Sequence, residues 1–181
     1  MEFKGQYNIP APPDEVWRAL NDPNVLQASI PGCQSLVRLG PTEFEASALV
    51  HIGPLRATFR GKVSLSDLDP PRRYRITGEG QGGAAGFAGG EAEVALTKTQ
   101  DGTAIVYAAR ANVGGKLAQV GQRLIDGAAR QIADEFFQRF IKQVTPAATA
   151  EPARERKTER RIWIIAVIAA VIAVILALMG S

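Results

Sequence analysis

From Phe44 to Val113, apolar and polar side chains alternate with a period of two, and turn residues interrupt the alternation at short intervals. Phe44, Ala46, Ala48, Val50 and Ile52 share one face of an extended segment, and Glu43, Glu45, Ser47 and His51 share the other. After the Gly53-Pro54 turn, Leu55, Ala57, Phe59, Val63 and Leu65 face inward, while Arg56, Thr58, Arg60, Lys62 and Ser64 face outward. A period of two is that of a half-buried strand, and hairpin turns between neighbours impose antiparallel pairing. Closing the first hairpin at Gly53-Pro54 brings Glu45 near Lys62 and Arg60, a favourable cross-strand arrangement that reads as surface chemistry. Asp69-Pro70-Pro71 turns the chain again, and Tyr74, Ile76, Gly78, Gly80 and Gly82 line the next inward face. The glycine-rich run 82–90 crosses into a strand with Ala92, Val94 and Leu96 inward. Asp101-Gly102 is a strong hairpin signal, and Ile105, Tyr107, Ala109, Ala111 and Val113 mark the last strand. With an opening strand at Phe3, Tyr7 and Ile9 and a short one at Leu36-Val37, the expectation is a sheet of about seven strands.

Two short helices and one long one accompany this sheet. Pro13-Asp14-Glu15 suits a helix start, because proline fits the first turn and carboxylates favour the positive end of the helix dipole. Val16, Trp17 and Leu20, then Leu26 beyond the Asp22-Pro23 break, give the short pair. Past Gly114-Gly115, Leu117, Val120, Gly121, Leu124, Ala128, Ile132, Phe136 and Phe140 recur at helical spacing, which predicts one helix over residues 116–144. Such a helix of about 29 residues spans roughly 43 Å and must lie across most of the sheet. Glycines within strands permit bulges and bends, and a bent sheet wraps around a long helix. The reading is α+β: a curved antiparallel sheet gripping a C-terminal helix in one domain, 1–144.

Residues 145–161 form a linker rich in alanine, proline and charge, and residues 162–179 carry no charge at all. Roughly 18 apolar residues rise about 27 Å as a helix, close to the hydrocarbon thickness of a bilayer. A buried core helix is seldom apolar on every face, so the expectation is a transmembrane helix. Arg154, Arg156, Lys157, Arg160 and Arg161 precede it, and Trp163 sits where an indole favours the headgroup level. This basic flank places the N-terminal domain on the cytoplasmic side of a single-pass protein, with the cluster against anionic lipid. The N-terminus has no apolar signal region, and the lone Cys33 forms no internal disulfide; both agree with a reducing compartment.

The basic excess does not point to nucleic acid. Residues 1–150 hold 16 Lys and Arg against 15 Asp and Glu, and the remainder five against three, so part of the surplus is juxtamembrane. One histidine and one cysteine exclude His/Cys metal constellations within a monomer. His51 lies on the polar face of its strand, Cys33 has no histidine placed near it in sequence, and Asp67 and Asp69 flank a turn. Each reads as structural. The run 78–90 lacks the Gly-Lys-Ser/Thr ending of a phosphate loop and leads into a strand.

The opening Ile9-Pro10-Ala11-Pro12-Pro13-Asp14-Glu15-Val16-Trp17, with Leu20, Asp22-Pro23 and Ile30-Pro31-Gly32-Cys33, resembles that of the CoxG family of carbon monoxide dehydrogenase subunits. So do Gly82-Gly83-Ala84-Ala85-Gly86-Phe87 and Val113-Gly114-Gly115-Lys116-Leu117-Ala118 running on to Gly121-Gln122-Arg123-Leu124-Ile125. The element order resembles the helix-grip fold of the START/polyketide-cyclase-like superfamily. The resemblance implies a bacterial inner-membrane protein that recruits a molybdenum-containing carbon monoxide dehydrogenase or related molybdenum hydroxylase. It also implies a cavity for a hydrophobic small molecule, a respiratory quinone such as menaquinone or ubiquinone being the physically sensible one.

The residues themselves bear on that cavity. Ala46, Ala48, Ala57, Gly78, Gly80, Ala92, Ala109 and Ala111 make the inward face unusually small, opposite Gly121 and Ala128 of the helix. Either helix and sheet approach very closely, or apolar space remains between them. In the second case Phe44, Phe59, Phe87 and Tyr107 line it with Leu117, Val120 and Leu124, and Tyr107 offers a hydroxyl or serves as ordinary core. No catalytic constellation is legible. The readings left open are a quinone-holding recruiter, a docking adaptor with a filled core, and an enzyme of the cyclase sort.

Overall fold

A computed structural model describes residues 1–145 of the chain. The strands are β1 Glu2–Ile9, β2 Cys33–Arg38, β3 Glu43–Ile52, β4 Leu55–Asp69, β5 Arg73–Gln81, β6 Phe87–Thr99 and β7 Gly102–Gly114. They form one antiparallel sheet of seven strands in the order β1-β7-β6-β5-β4-β3-β2, so every neighbouring pair but β1 and β7 is adjacent in sequence. The predicted register holds: Glu45 lies opposite Lys62, and Gly53-Pro54 closes the turn. Near the end of β4 a bulge opens between Ser66 and Asp69, with Asp67 at φ 52°, which twists that corner of the sheet. Asp67 there pairs with Arg75 at 3.0 Å, and Asp69 with Arg72 at 2.8 Å.

Helices α1 Pro13–Ala19 and α2 Pro23–Ser29 follow β1. Each begins with proline at its first turn, and the Asp22 side chain caps α2 by accepting from the Asn24 N–H at 2.8 Å. Val16, Trp17, Leu20 and Leu26 are buried in one apolar cluster with both faces they meet, the inward sheet and the C-terminal helix.

The single helix expected over 116–144 is two. α3 Lys116–Gln119 stops at Val120, Gly121 sits at φ 96° and ψ 140°, and α4 Gln122–Val144 starts afresh. A backbone in that region cannot carry a right-handed helix, and glycine reaches it at least cost. The expected transmembrane helix 162–179 and its flank Arg154, Arg156, Lys157, Arg160, Arg161 and Trp163 lie outside the described residues. Among the described residues no helix is long and apolar enough to cross a membrane.

Candidate ligand-binding site

Strand register assembles the small residues into a continuous floor. One row across the sheet reads Ala46, Gly61, Gly80, Ala88 and Val113; the next reads Phe44, Val63, Gly78, Gly90 and Ala111. A third carries Leu65, Ile76, Ala92, Ala109 and Phe3. Glycine and alanine thus dominate the middle of the inner surface. Some of the glycines serve backbone approach as well. A β-carbon on Gly61 would stand 2.6 Å from the Glu79 carbonyl oxygen, and one on Gly90 2.2 Å from that of Arg110.

The helix face over this floor differs from the expected one. Ile125, Ala129, Ala133, Phe136, Phe137 and Phe140 are the buried residues of α4. Leu124 is 49% exposed, Gly121 is exposed, and Val120 and Ala128 are only half-buried. Counting from Phe140 in fours to Leu124 drifts about 160° around the axis, because 3.6 residues make a turn. Small residues are still buried on α4, but they are Ala129 and Ala133. Of the other expected lining residues, Phe44, Ala46, Ala48, Phe59, Gly78, Gly80 and Leu117 are buried, and Ala57 is half-buried. Phe87 is a correction: it lies on the outer face of β6, 50% exposed, its ring over Gly114. Its place one residue before the inward Ala88 dictates this.

Rings fill the space at Gly82, an expected vacancy, and at Gly5. A β-carbon on Gly82 would stand 2.5 Å from the Phe59 ring, and one on Gly5 2.4 Å from that of Tyr107. Tyr107 is half-buried and stacks on Tyr7 at 6.3 Å; Tyr7 in turn stacks on Phe137 at 3.9 Å and donates from its hydroxyl to Asp134 at 2.7 Å. Burial, then the bond to Asp134, holds the Tyr7 hydroxyl far above the usual tyrosine range. Burial also raises Tyr107, with hydrogen bonding to Tyr7 offsetting part of it. Tyr107 thus belongs to the edge that ties β1 to α4.

The residues that sequence reading missed lie at the other side of the floor. Tyr74 shares the inward face of β5 with Ile76, and its ring meets Trp17 of α1 edge to face at 5.5 Å and 83°. Both are almost fully buried, and neither the Tyr74 hydroxyl nor the Trp17 indole N–H has a hydrogen-bond partner among the described residues. Burial alone pushes the Tyr74 hydroxyl well up. Alternation places Tyr74 inward, but only the fold brings α1 onto it.

The two ends of the body differ. At one, α1 lies under the Trp17–Tyr74 contact. At the other, the 82–86 loop packs on Gly114-Gly115, and the Gly53 turn lies near Val120 and Leu124. The 82–86 loop closes on itself, with the Gly82 N–H donating to the Gly86 carbonyl at 2.8 Å, and leads straight into β6, so it cradles no phosphate. Cys33 is half-buried, which raises its thiol and makes it a poor nucleophile. His51 is exposed opposite Arg56. Among the described residues no three of His, Cys, Asp and Glu come together to hold a metal. On the outer face a groove of about 660 Å³ has Leu68, Ala95 and Val106 among its walls, with Arg73, Arg75 and Glu93.

These features find their match in sequence. Residues 5–145 match CoxG, a family of carbon monoxide dehydrogenase subunits. The chain belongs to that family. A conserved protein from Geobacillus kaustophilus, seen in a crystal structure, is 31% identical to it with a TM-score of 0.75, over 80% of this chain and 95% of that one. The Zhui aromatase/cyclase from Streptomyces sp. R1128 is 14% identical, with a TM-score of 0.57 over 80% and 93% of the two chains. Ara h 8.0201 is 18% identical, with a TM-score of 0.57 over 80% and 97%. At such identities the last two speak for the fold alone, and they agree with a helix-grip architecture for CoxG. No curated protein matches the chain. The CoxG family and this fold support a role as an accessory of carbon monoxide dehydrogenase or a binder of hydrophobic ligands.

Proposed function

We propose that this CoxG chain is a non-catalytic, membrane-anchored accessory protein. It recruits a molybdenum-containing carbon monoxide dehydrogenase-type oxidoreductase to the cytoplasmic face of the bacterial inner membrane. Between sheet and α4 it holds a lipophilic ligand, a quinone of the menaquinone or ubiquinone kind. The observation that carries the ligand half is the floor of glycine and alanine on the inner face of the sheet, in a helix-grip fold whose α4 also buries an apolar face. Family membership supports the accessory half, and the uncharged segment 162–179 supports the anchor. The mechanism is proximity: a tether confines the body near both bilayer and enzyme and raises their effective concentration without new contacts.

Lipids extracted from gently purified full-length protein should contain a quinone; their absence sinks the ligand half. Truncation after residue 145 should leave the partner enzyme off the membrane, and undiminished membrane recruitment by the truncated body refutes the anchor. A second reading, a docking adaptor with a filled core, is favoured by Phe59 and Tyr107, whose rings occupy the space left at Gly82 and Gly5.

A further inference from the structure

We propose that the Trp17 indole N–H and the Tyr74 hydroxyl together form a two-donor receptor for a neutral carbonyl oxygen, which seats an apolar ligand head-first at the α1 end of the body. This rests on the reading that a quinone-class ligand lies between sheet and helix.

Trp17 is 3% exposed and Tyr74 2%, and neither polar group has a partner among the described residues. A buried donor left unpaired costs on the order of 1–3 kcal/mol, and native structures contain few. Here two belong to side chains whose rings are in contact, one from α1 and one from β5. Tyr74 is two residues from Ile76, whose row runs on through Ala92 and Ala109. The unpaired groups therefore border the small-residue floor.

The chemistry of the pair selects the ligand atom. An indole N–H only donates, and a phenol donates most readily to an acceptor oxygen. Val16, Leu20, Ile76 and Val94 around the pair are apolar and buried, so a carboxylate there would lose its hydration without a cation to replace it. A neutral carbonyl fits both demands. A head held there leaves the ligand's hydrocarbon chain to run along the floor toward the other end of the sheet.

The test uses the full-length chain carrying Trp163→Phe, which leaves Trp17 as its one indole. One probe is a naphthoquinone with a short isoprenoid chain; the other is the matching naphthalene without ring oxygens. The quinone should quench Trp17 fluorescence. Tyr74→Phe should weaken the quinone about tenfold while moving the naphthalene less than about twofold. It should also leave the ligand-free melting temperature unchanged or raised, since it removes an unsatisfied hydroxyl. Trp17→Phe, followed by calorimetry, should show the same oxygen-dependent loss. Unchanged quinone affinity in Tyr74→Phe would mean that the pair holds only water, and equal losses for both probes would mean a packing effect. Either overturns the proposal while the quinone-holding reading stands. Failure of the unsubstituted chain to bind either probe overturns that reading itself.

Discussion

A β-carbon on Gly86 would lie 1.9 Å from the Gly114 carbonyl oxygen, and one on Gly115 2.7 Å from the α-carbon of Gly86. Both glycines also have positive φ, at 109° and 77°. The 82–86 loop is therefore fastened to the end of β7 by backbone lying on backbone, and alanine is excluded twice over, by contact and by conformation. Gly86→Ala should cost at least about 2 kcal/mol in chemical denaturation. Gly127, on the exposed side of α4 with open space around it, provides the contrast: Gly127→Ala should add about 0.5–1 kcal/mol. In the sequence these glycines are indistinguishable members of one composition. What each one serves (a ring at Gly5 and Gly82, a backbone at Gly86 and Gly90) depends on which strand lies alongside, and no single stretch contains that information. The tyrosines make a second point at this scale. The chain has three, Tyr7, Tyr74 and Tyr107, and burial foremost raises the hydroxyl of each. Below about pH 10 the unfolded chain keeps these protons too, and the full stability is present. Above it the unfolded chain releases them while the folded one retains them, so stability falls as pH rises. Tyrosinate absorbance should accordingly appear in one step coincident with unfolding; a tyrosine that titrates near pH 10 with the fold intact contradicts this.

The break at Gly121 decides the geometry of the C-terminal helix. Its φ of 96° separates α3 from α4, and α4 then turns Ile125, Ala129 and Ala133 into the core. Ile125→Ala should cost about 2–4 kcal/mol, whereas Leu124→Ala, one position away, should change stability by less than about 0.5 kcal/mol. A comparable loss at both would mean that the buried face is broader than described. This element is only partly legible in the sequence. Its existence and its end near Thr145 follow from spacing and from Pro146, but a stripe taken in fours drifts off the true face, and a glycine inside an apolar repeat looks like a small core residue. The strands are far easier. Alternation reports each strand's inward face directly, and turn residues at Gly53-Pro54 and Asp101-Gly102 fix the register of the hairpins they close. Phe87 misleads when its aromatic character is weighed above its parity with Ala88.

For the whole molecule, seven strands in hairpin order and two short helices leave little freedom in topology, and the family segments at residues 9–17 and 82–87 agree with it. The Trp17–Tyr74 contact is out of reach of the sequence, because it joins residues whose separation has no local signature. α4 itself sets a direction through the body. It begins beside the Gly53 turn, where Leu124 comes within reach of Gly53, and passes Tyr7 and α1 toward the far end. Its 23 residues make it about 34 Å long. The described chain therefore leaves the body at the far end of α4 from the Gly53 turn. An anchor of the kind proposed at residues 162–179 would hold the body by that end, so bringing the Gly53 end to a bilayer would mean turning the body over.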